Sequence, residues 1–186
     1  MTTESLTSAA TTTWNIDPAH SAAEFKVKHM MISNVKGKFS GINGVLKLNE
    51  ADPTQSSVEA TIPVATLSTG DDQRDGHLKS AEFFDAEKFP TFTFKSLSVR
   101  LTGPGEHEVT GELTLRGITK TTTFAVEGPS APGKDPWGNT RVGLSATAKI
   151  NRKDFGLSWN APLETGGVLV GEEVHLSLDI QFIKAA

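Results

Sequence analysis

Cysteine is absent from the 186 residues. That excludes disulfides, thiolate zinc sites and a cysteine nucleophile. The fold must therefore be held by its hydrophobic core, and a single β domain of this length is large enough to bury one. Basic runs are also missing. The 18 Lys and Arg are dispersed among 22 Asp and Glu, for a net charge of −4, so a phosphate backbone finds no track to follow and no nucleic-acid partner is expected. No window approaches the ~18 apolar residues of a membrane-spanning helix, so no stable membrane insertion is expected. The opening "MTTESLTSAATTT" has neither a basic residue nor an apolar stretch, unlike a secretory signal. These features predict a cytoplasmic chain with a disordered tail over residues 1–12 and a single domain over residues 13–186. His20, His29, His77, His107 and His175 never fall two or four apart, so no local metal-ligand pair exists and no metal is expected. "GLSAT" and "GLSWN" lack the second glycine of a nucleophile elbow, and no phosphate-cradling glycine motif is present. The chain reads as a non-enzyme that needs no cofactor.

What the chain has is alternation. In "AAEFKVKHM", Ala23, Phe25, Val27 and His29 share one face, and Glu24, Lys26 and Lys28 the other. Period two with polar residues outward is the pattern of a half-buried antiparallel strand. His29 is thereby placed in the apolar wall, where an imidazole needs a hydrogen-bond partner. "VKGKFSGINGVLKLN" puts Val35 and Phe39 together, with Gly37, Gly41 and Gly44 as points where a long strand bends. "TFTFKSLSVRL" starts with Phe92 and Phe94 on one face and continues with Leu97, Val99 and Leu101 on the other, which predicts a bulge near Lys95 or Ser96. Val109, Leu113 and Leu115 line one face of the next strand, and Ile118, Phe124 and Val126 one face of its partner. Leu115 to Thr119 form the hairpin turn between them, with Gly117 at positive φ. "TRVGLSATAKI" and "EEVHLSLDIQFI" alternate in the same way. His107 and His175 fall on polar faces or in loops and are expected in solvent. The total is about eight strands and one or two short helices. Long strands, hairpin links and frequent glycines favour an antiparallel barrel over a sandwich. An eight-stranded barrel is either filled by its side chains or holds one small ligand, and the pattern leaves both open.

One stretch breaks the alternation: "STGDDQRDGHLKSAEFFDAEKFP", Ser68 to Pro90. Thr69 or Asp71 can cap a short helix starting near Asp72, and Ser80 a second turn ended by Pro90. Arg74, His77 and Leu78 then share one side. Such a segment can cover the mouth of a barrel, with Phe83, Phe84 and Phe89 against the rim. The alternative is a solvated helix whose Arg74 pairs with Asp71, Asp72 or Asp75, at ~0–1 kcal/mol per pair.

Several motifs also resemble a known family. "WNIDPAHS" (Trp14 to Ser21), "FKVKH" (Phe25 to His29), "VKGKF" (Val35 to Phe39), "RDGHL" (Arg74 to Leu78) and "FFDAEKFP" (Phe83 to Pro90) come first. "GELTLRGITK" (Gly111 to Lys120), "INRKDFG" (Ile150 to Gly156) and "VGEEV" (Val170 to Val174) follow. In this order they resemble the YceI-like polyisoprenoid-binding proteins, from about Trp14 to Ile183. The resemblance implies an all-β, extended, eight-stranded antiparallel lipocalin-like barrel around an elongated pocket. It also implies an isoprenoid lipid as ligand, such as a polyprenyl diphosphate or an isoprenoid quinone, held for carriage, storage or sequestration. Many family members are periplasmic. A lipid-modifying enzyme on the same barrel, or another amphipathic lipid such as a fatty acid, is the alternative reading. Phase and resemblance together assign the pocket wall to Phe25, Val27, His29, Phe39, Phe84, Phe92, Phe94, Leu113, Leu115 and Phe124. They assign the polar head to Arg74 and His77. The oligomeric state is left open, with a homodimer as one option.

Overall fold

The computed structural model describes residues 10–186. Its strands are β1 (Thr11–Ile16), β2 (Ala22–His29), β3 (Ser33–Phe39), β4 (Asn43–Asn49), β5 (Ser57–Pro63), β6 (Thr91–Gly103), β7 (Glu106–Leu115), β8 (Ile118–Glu127), β9 (Gly133–Lys134), β10 (Thr140–Asn151) and β11 (Val170–Lys184). A single α-helix among the described residues, α1 (Asp72–Lys79), lies between β5 and β6. Short 3-10 turns occupy Pro18–His20, Pro53–Gln55, Val64–Thr66 and Arg152–Phe155.

Neighbouring strands follow the order β3-β2-β11-β1-β4-β5-β6-β7-β8-β10-β9, and β10 also pairs with β11. That last pairing closes a ring of eight: β11, β1, β4, β5, β6, β7, β8 and β10. The ring is antiparallel throughout. β2 and β3 extend β1 and β4 beyond two breaks. At the first, the carboxylate of Asp17 accepts the amide N–H of Ala19 at 3.0 Å and starts the Pro18–His20 turn. At the second, Gly41 has φ +69. The predicted eight-stranded antiparallel barrel is therefore present, with its first long hairpin kinked in both arms.

The bulge predicted in β6 falls at Leu97. The register passes from Ser96 opposite Gly111 to Ser98 opposite Thr110, so Leu97 has no partner. Phe92 and Phe94 face inward before the bulge and Val99 after it, while Leu97 and Leu101 are exposed. The β7–β8 hairpin turns on Arg116 (φ 51) and Gly117 (φ 72), with Leu115 paired to Ile118. Positive φ at both central residues matches the twist of the flanking strands, and glycine takes the second at no steric cost.

Two expectations are corrected. Strand pairing begins at Thr11, which faces Asn49, so Thr11 and Thr12 are not tail; residues 1–9 lie outside the described residues. Asp71 caps α1, accepting the Arg74 amide N–H at 2.9 Å, but Ser80 starts no second helix. It ends the first instead, its hydroxyl donating to the carbonyl of His77. The residues that follow form turns.

Trp14, Phe155, Phe182, Ile42 and Val64 are the most completely buried side chains. The indole N–H of Trp14 donates to Thr12 Oγ1 at 2.9 Å, which satisfies the ring's one polar group.

Candidate functional site

The barrel is hollow. A cavity of about 250 Å³ lies inside it. Its wall is built from the inward phase of each strand: Phe92, Phe94 and Val99 from β6, Val109, Leu113 and Leu115 from β7, Phe124 and Val126 from β8. Leu144, Ala146 and Ile150 of β10 continue it, as do Val174, Leu176, Leu178 and Ile180 of β11. The β2–β3 extension adds Phe25, Val27 and Phe39. Aromatic rings meet edge-on within the wall. Phe39 lies 5.2 Å from Phe92, Phe84 lies 5.1 Å from Phe92, and Phe94 lies 5.1 Å from Phe124. Each such pair adds ~0.5–1.5 kcal/mol beyond area burial and orients its rings.

Glycines make room for two of these rings. A Cβ on Gly37 would sit 2.3 Å from Phe25 Cζ, and one on Gly111 would sit 2.5 Å from Phe94 Cζ.

The two ends differ. At one, Leu78 of α1 with Phe83 and Phe84 borders the cavity. His77 stands edge-on between Phe83 at 5.0 Å and Trp159 at 4.8 Å. Two arginines fasten this end. Arg116 Nη1 donates to the carbonyl of Gly156 at 2.8 Å and its Nη2 to that of Ala81 at 2.9 Å. Arg152, only 3% exposed, donates to the carbonyls of Gly171 (2.7 Å), Trp159 (2.9 Å), Val170 (3.2 Å) and Leu157. Burial draws its pKa below the ordinary arginine value, against the nearby charge of Glu172. At the other end Pro53, Ser56, His107 and Pro129 border the cavity.

The ionisable residues on the cavity border are Glu24, His107 and Arg152. Glu24 is exposed on the outer face, and Arg152 is occupied by main-chain carbonyls. The interior thus offers hydrocarbon and almost no charge. Among the described residues no cluster of His, Asp and Glu is arranged to hold a metal ion, and no helix is long and apolar enough to cross a membrane.

The YceI-like domain family matches residues 14–182. The chain belongs to that family. A UPF0312 protein of Staphylococcus aureus is 38% identical over 172 residues, which is 92% of this chain and 97% of that protein. The crystal structure of Burkholderia cenocepacia BcnA superposes with a TM-score of 0.75 at 25% identity, covering 89% of this chain and 98% of BcnA. A polyisoprenoid-binding domain from Saccharophagus degradans shares the fold, with a TM-score of 0.64 at 16% identity, covering 92% of this chain and 98% of that domain.

In this YceI-like barrel, nine of the ten residues expected in the wall border the cavity: Phe25, Val27, Phe39, Phe84, Phe92, Phe94, Leu113, Leu115 and Phe124. His29 does not. It ends β2, opposite Ser33 and Val170, past the last inward residue of that strand. Arg74 and His77 are also outside the lining, contrary to the head-group expectation. Arg74 Nε donates to Thr69 Oγ1 at 2.8 Å and Nη2 to the Thr69 carbonyl at 3.0 Å. Thr69 in turn donates its amide N–H to Asp75 Oδ1 at 2.9 Å, so Arg74 serves the helix and not a cavity. Its expected aspartate partners are not in contact with its guanidinium. His77 Nε2 contacts Glu82 at the surface.

The converse error concerns His107, which the strand pattern left in solvent. It is 7% exposed and borders the cavity. The signal was present: His107 shares the inward phase of Val109, Leu113 and Leu115. Arg152 was missed because nothing local marks a buried arginine in a loop.

A separate ionic group lies outside the cavity. Arg141 contacts Asp17 Oδ2 and Asp135 Oδ2, each at 2.6 Å. Hydrogen bonds from Arg141 and then His20 lower the Asp17 pKa to about 2. At Asp135 burial acts upward, but hydrogen bonds from Arg141, Asn139 and Trp137 together outweigh it and bring the pKa to about 2.

Proposed function

We propose that this protein binds a long isoprenoid lipid inside its barrel and acts in the carriage, storage or sequestration of that lipid, not in its conversion. The observation that carries this reading is the cavity itself: an axial void walled by aliphatic and aromatic side chains, with no uncommitted charge. A hydrocarbon chain needs only that, because burial yields ~25 cal/mol per Å² of apolar surface. Membership of the YceI-like family supports the reading, as does the shared fold of the polyisoprenoid-binding domain from Saccharophagus degradans. Among the described residues no free cation lines the wall, which favours a neutral head, such as an alcohol or a quinone, over a diphosphate. A diphosphate would have to shed its hydration without compensation there. At about 250 Å³ the cavity falls just below the ~300–1,000 Å³ usual for small-molecule sites. Admitting a long chain then requires the phenylalanines that project into the cavity to turn aside.

Mass spectrometry of an organic extract of the purified protein tests the reading. One prenyl lipid per protein is expected. A fatty acid in its place transfers the site to another amphipathic lipid, and a chemically altered prenyl lipid points to an enzyme. An empty protein that also fails to take up an added prenyl lipid overturns the proposal.

A further inference from the structure

His107 is held by one side of its ring only. Nδ1 lies 3.0 Å from the carbonyl oxygen of Gly128. A carbonyl can only accept, so Nδ1 carries the proton, and a neutral ring then presents a bare lone pair at Nε2. Nε2 is buried and has no partner among the described residues. Buried polar atoms without a partner are rare and costly. The ring shares its strand's inward phase with Val109, Leu113 and Leu115, and it borders the cavity. Val99, Val109, Val126, Pro129 and Leu144 border the same region. An isolated acceptor therefore stands in the wall of a hydrocarbon chamber, at the end opposite α1.

Its position is fixed by the backbone. Gly128 has φ +115, and its amide N–H donates to the carbonyl of Gly105 at 2.8 Å. A Cβ there would lie 2.9 Å from the carbonyl oxygen of Gly143. The Gly128 carbonyl that orients the imidazole is thus set by main chain on two sides, which fixes the direction of the Nε2 lone pair.

Resting on the lipid-binding reading, we infer that His107 Nε2 accepts a hydrogen bond from a hydroxyl at the end of the bound lipid. This end of the barrel then selects a hydroxyl-terminated isoprenoid. An ether or a quinone carbonyl has no proton to give, and a diphosphate brings charge that nothing else in the wall offsets. The hydroxyl can belong to a prenyl alcohol or to the reduced, quinol form of an isoprenoid quinone.

Displacement of a fluorescent apolar probe by geranylgeraniol and by its O-methyl ether tests this, with a matched quinol and quinone as a second pair. Wild type is expected to favour the hydroxyl member of at least one pair by roughly three- to tenfold, the scale of one net hydrogen bond. Preference within the first pair alone assigns the hydroxyl to a prenyl alcohol, and within the second alone to a quinol. His107→Leu should abolish the preference by weakening the hydroxyl ligand while leaving its partner unchanged. Equal binding within both pairs overturns the role of His107 and leaves the lipid reading intact. Failure of all four to bind overturns both. Should His107→Leu not fold, nitrogen-15 spectra of the wild-type histidine rings decide the point. The hydroxyl ligand should move the His107 Nε2 resonance upfield and its partner should not; no movement with either overturns the assignment.

Discussion

At the level of single residues, the cavity is shaped as much by what is small as by what is large. Phe25 lies across Gly37, and the space a methyl group would need is filled by the ring edge. Gly37→Ala must turn Phe25 into the cavity. The expected outcome is less retained lipid per protein and a loss of stability of ~1–3 kcal/mol, the usual cost of overpacking. Pairing the change with Phe25→Leu should restore both, as lipid extraction and thermal melts would show. The inward phenylalanines were readable from period two alone, because strand alternation maps directly onto barrel interior and exterior. His29 and His107 were misplaced in opposite directions and for different reasons, since phase says which face a residue takes but not where along its strand the cavity ends. His29 has the right phase at the wrong height, and His107 was judged by its polarity when its phase was inward.

At the level of elements, the charged excursion at Ser68 to Pro90 does border one end of the cavity, but through its apolar residues. Leu78, Phe83 and Phe84 reach the interior, while Arg74 folds back on Thr69. The helix and its cap were legible because Asp71 stands three residues before Arg74 and can accept its amide. The direction of the Arg74 guanidinium was not, since a long side chain chooses among several nearby acceptors. Arg152 is the element-scale fastener of the loop from Leu157 to Val170. Arg152→Met removes the guanidinium donors from the carbonyls of Leu157, Trp159 and Gly171, at ~1–3 kcal/mol each, and should lower stability by at least ~3 kcal/mol. Hydrogen exchange should show the loss as faster exchange from Leu157 to Gly171, with β6 to β8 unchanged. The Arg141 group ties the β1–β2 break to the β9–β10 connection. Both its carboxylates have folded pKa values lowered from 3.8 to about 2. A lowered folded pKa gives stability that is present above about pH 4 and lost as pH falls toward about 2. Arg141→Met should therefore melt below wild type at neutral pH. The gap between the two melting temperatures should narrow between pH 4 and pH 2.

At the level of the whole molecule, the barrel is, on the lipid-binding proposal, a container of finite length, so its ligand preference should show a limit. Each added isoprene unit brings five carbons at ~0.3 kcal/mol per atom, close to tenfold in affinity. A series of prenyl alcohols should tighten by about that factor per unit until the cavity is full, then level off. A series that rises without a plateau would place the tail outside the barrel. The closed eight-stranded ring was legible from strand count and glycine spacing, and the interior volume was not, because the same alternation describes a filled barrel and a hollow one. The closure has another consequence. β11 pairs with β10 along one edge and with both β1 and β2 along the other. During synthesis the residues that complete the ring emerge from the ribosome last among those described, and until then the apolar face of a curved, open sheet has neither a partner strand nor a ligand. Pairing residues some 170 positions apart is slow, so the nascent chain passes through a sticky, unsealed stage in which a chaperone, or the lipid itself, would find its earliest foothold.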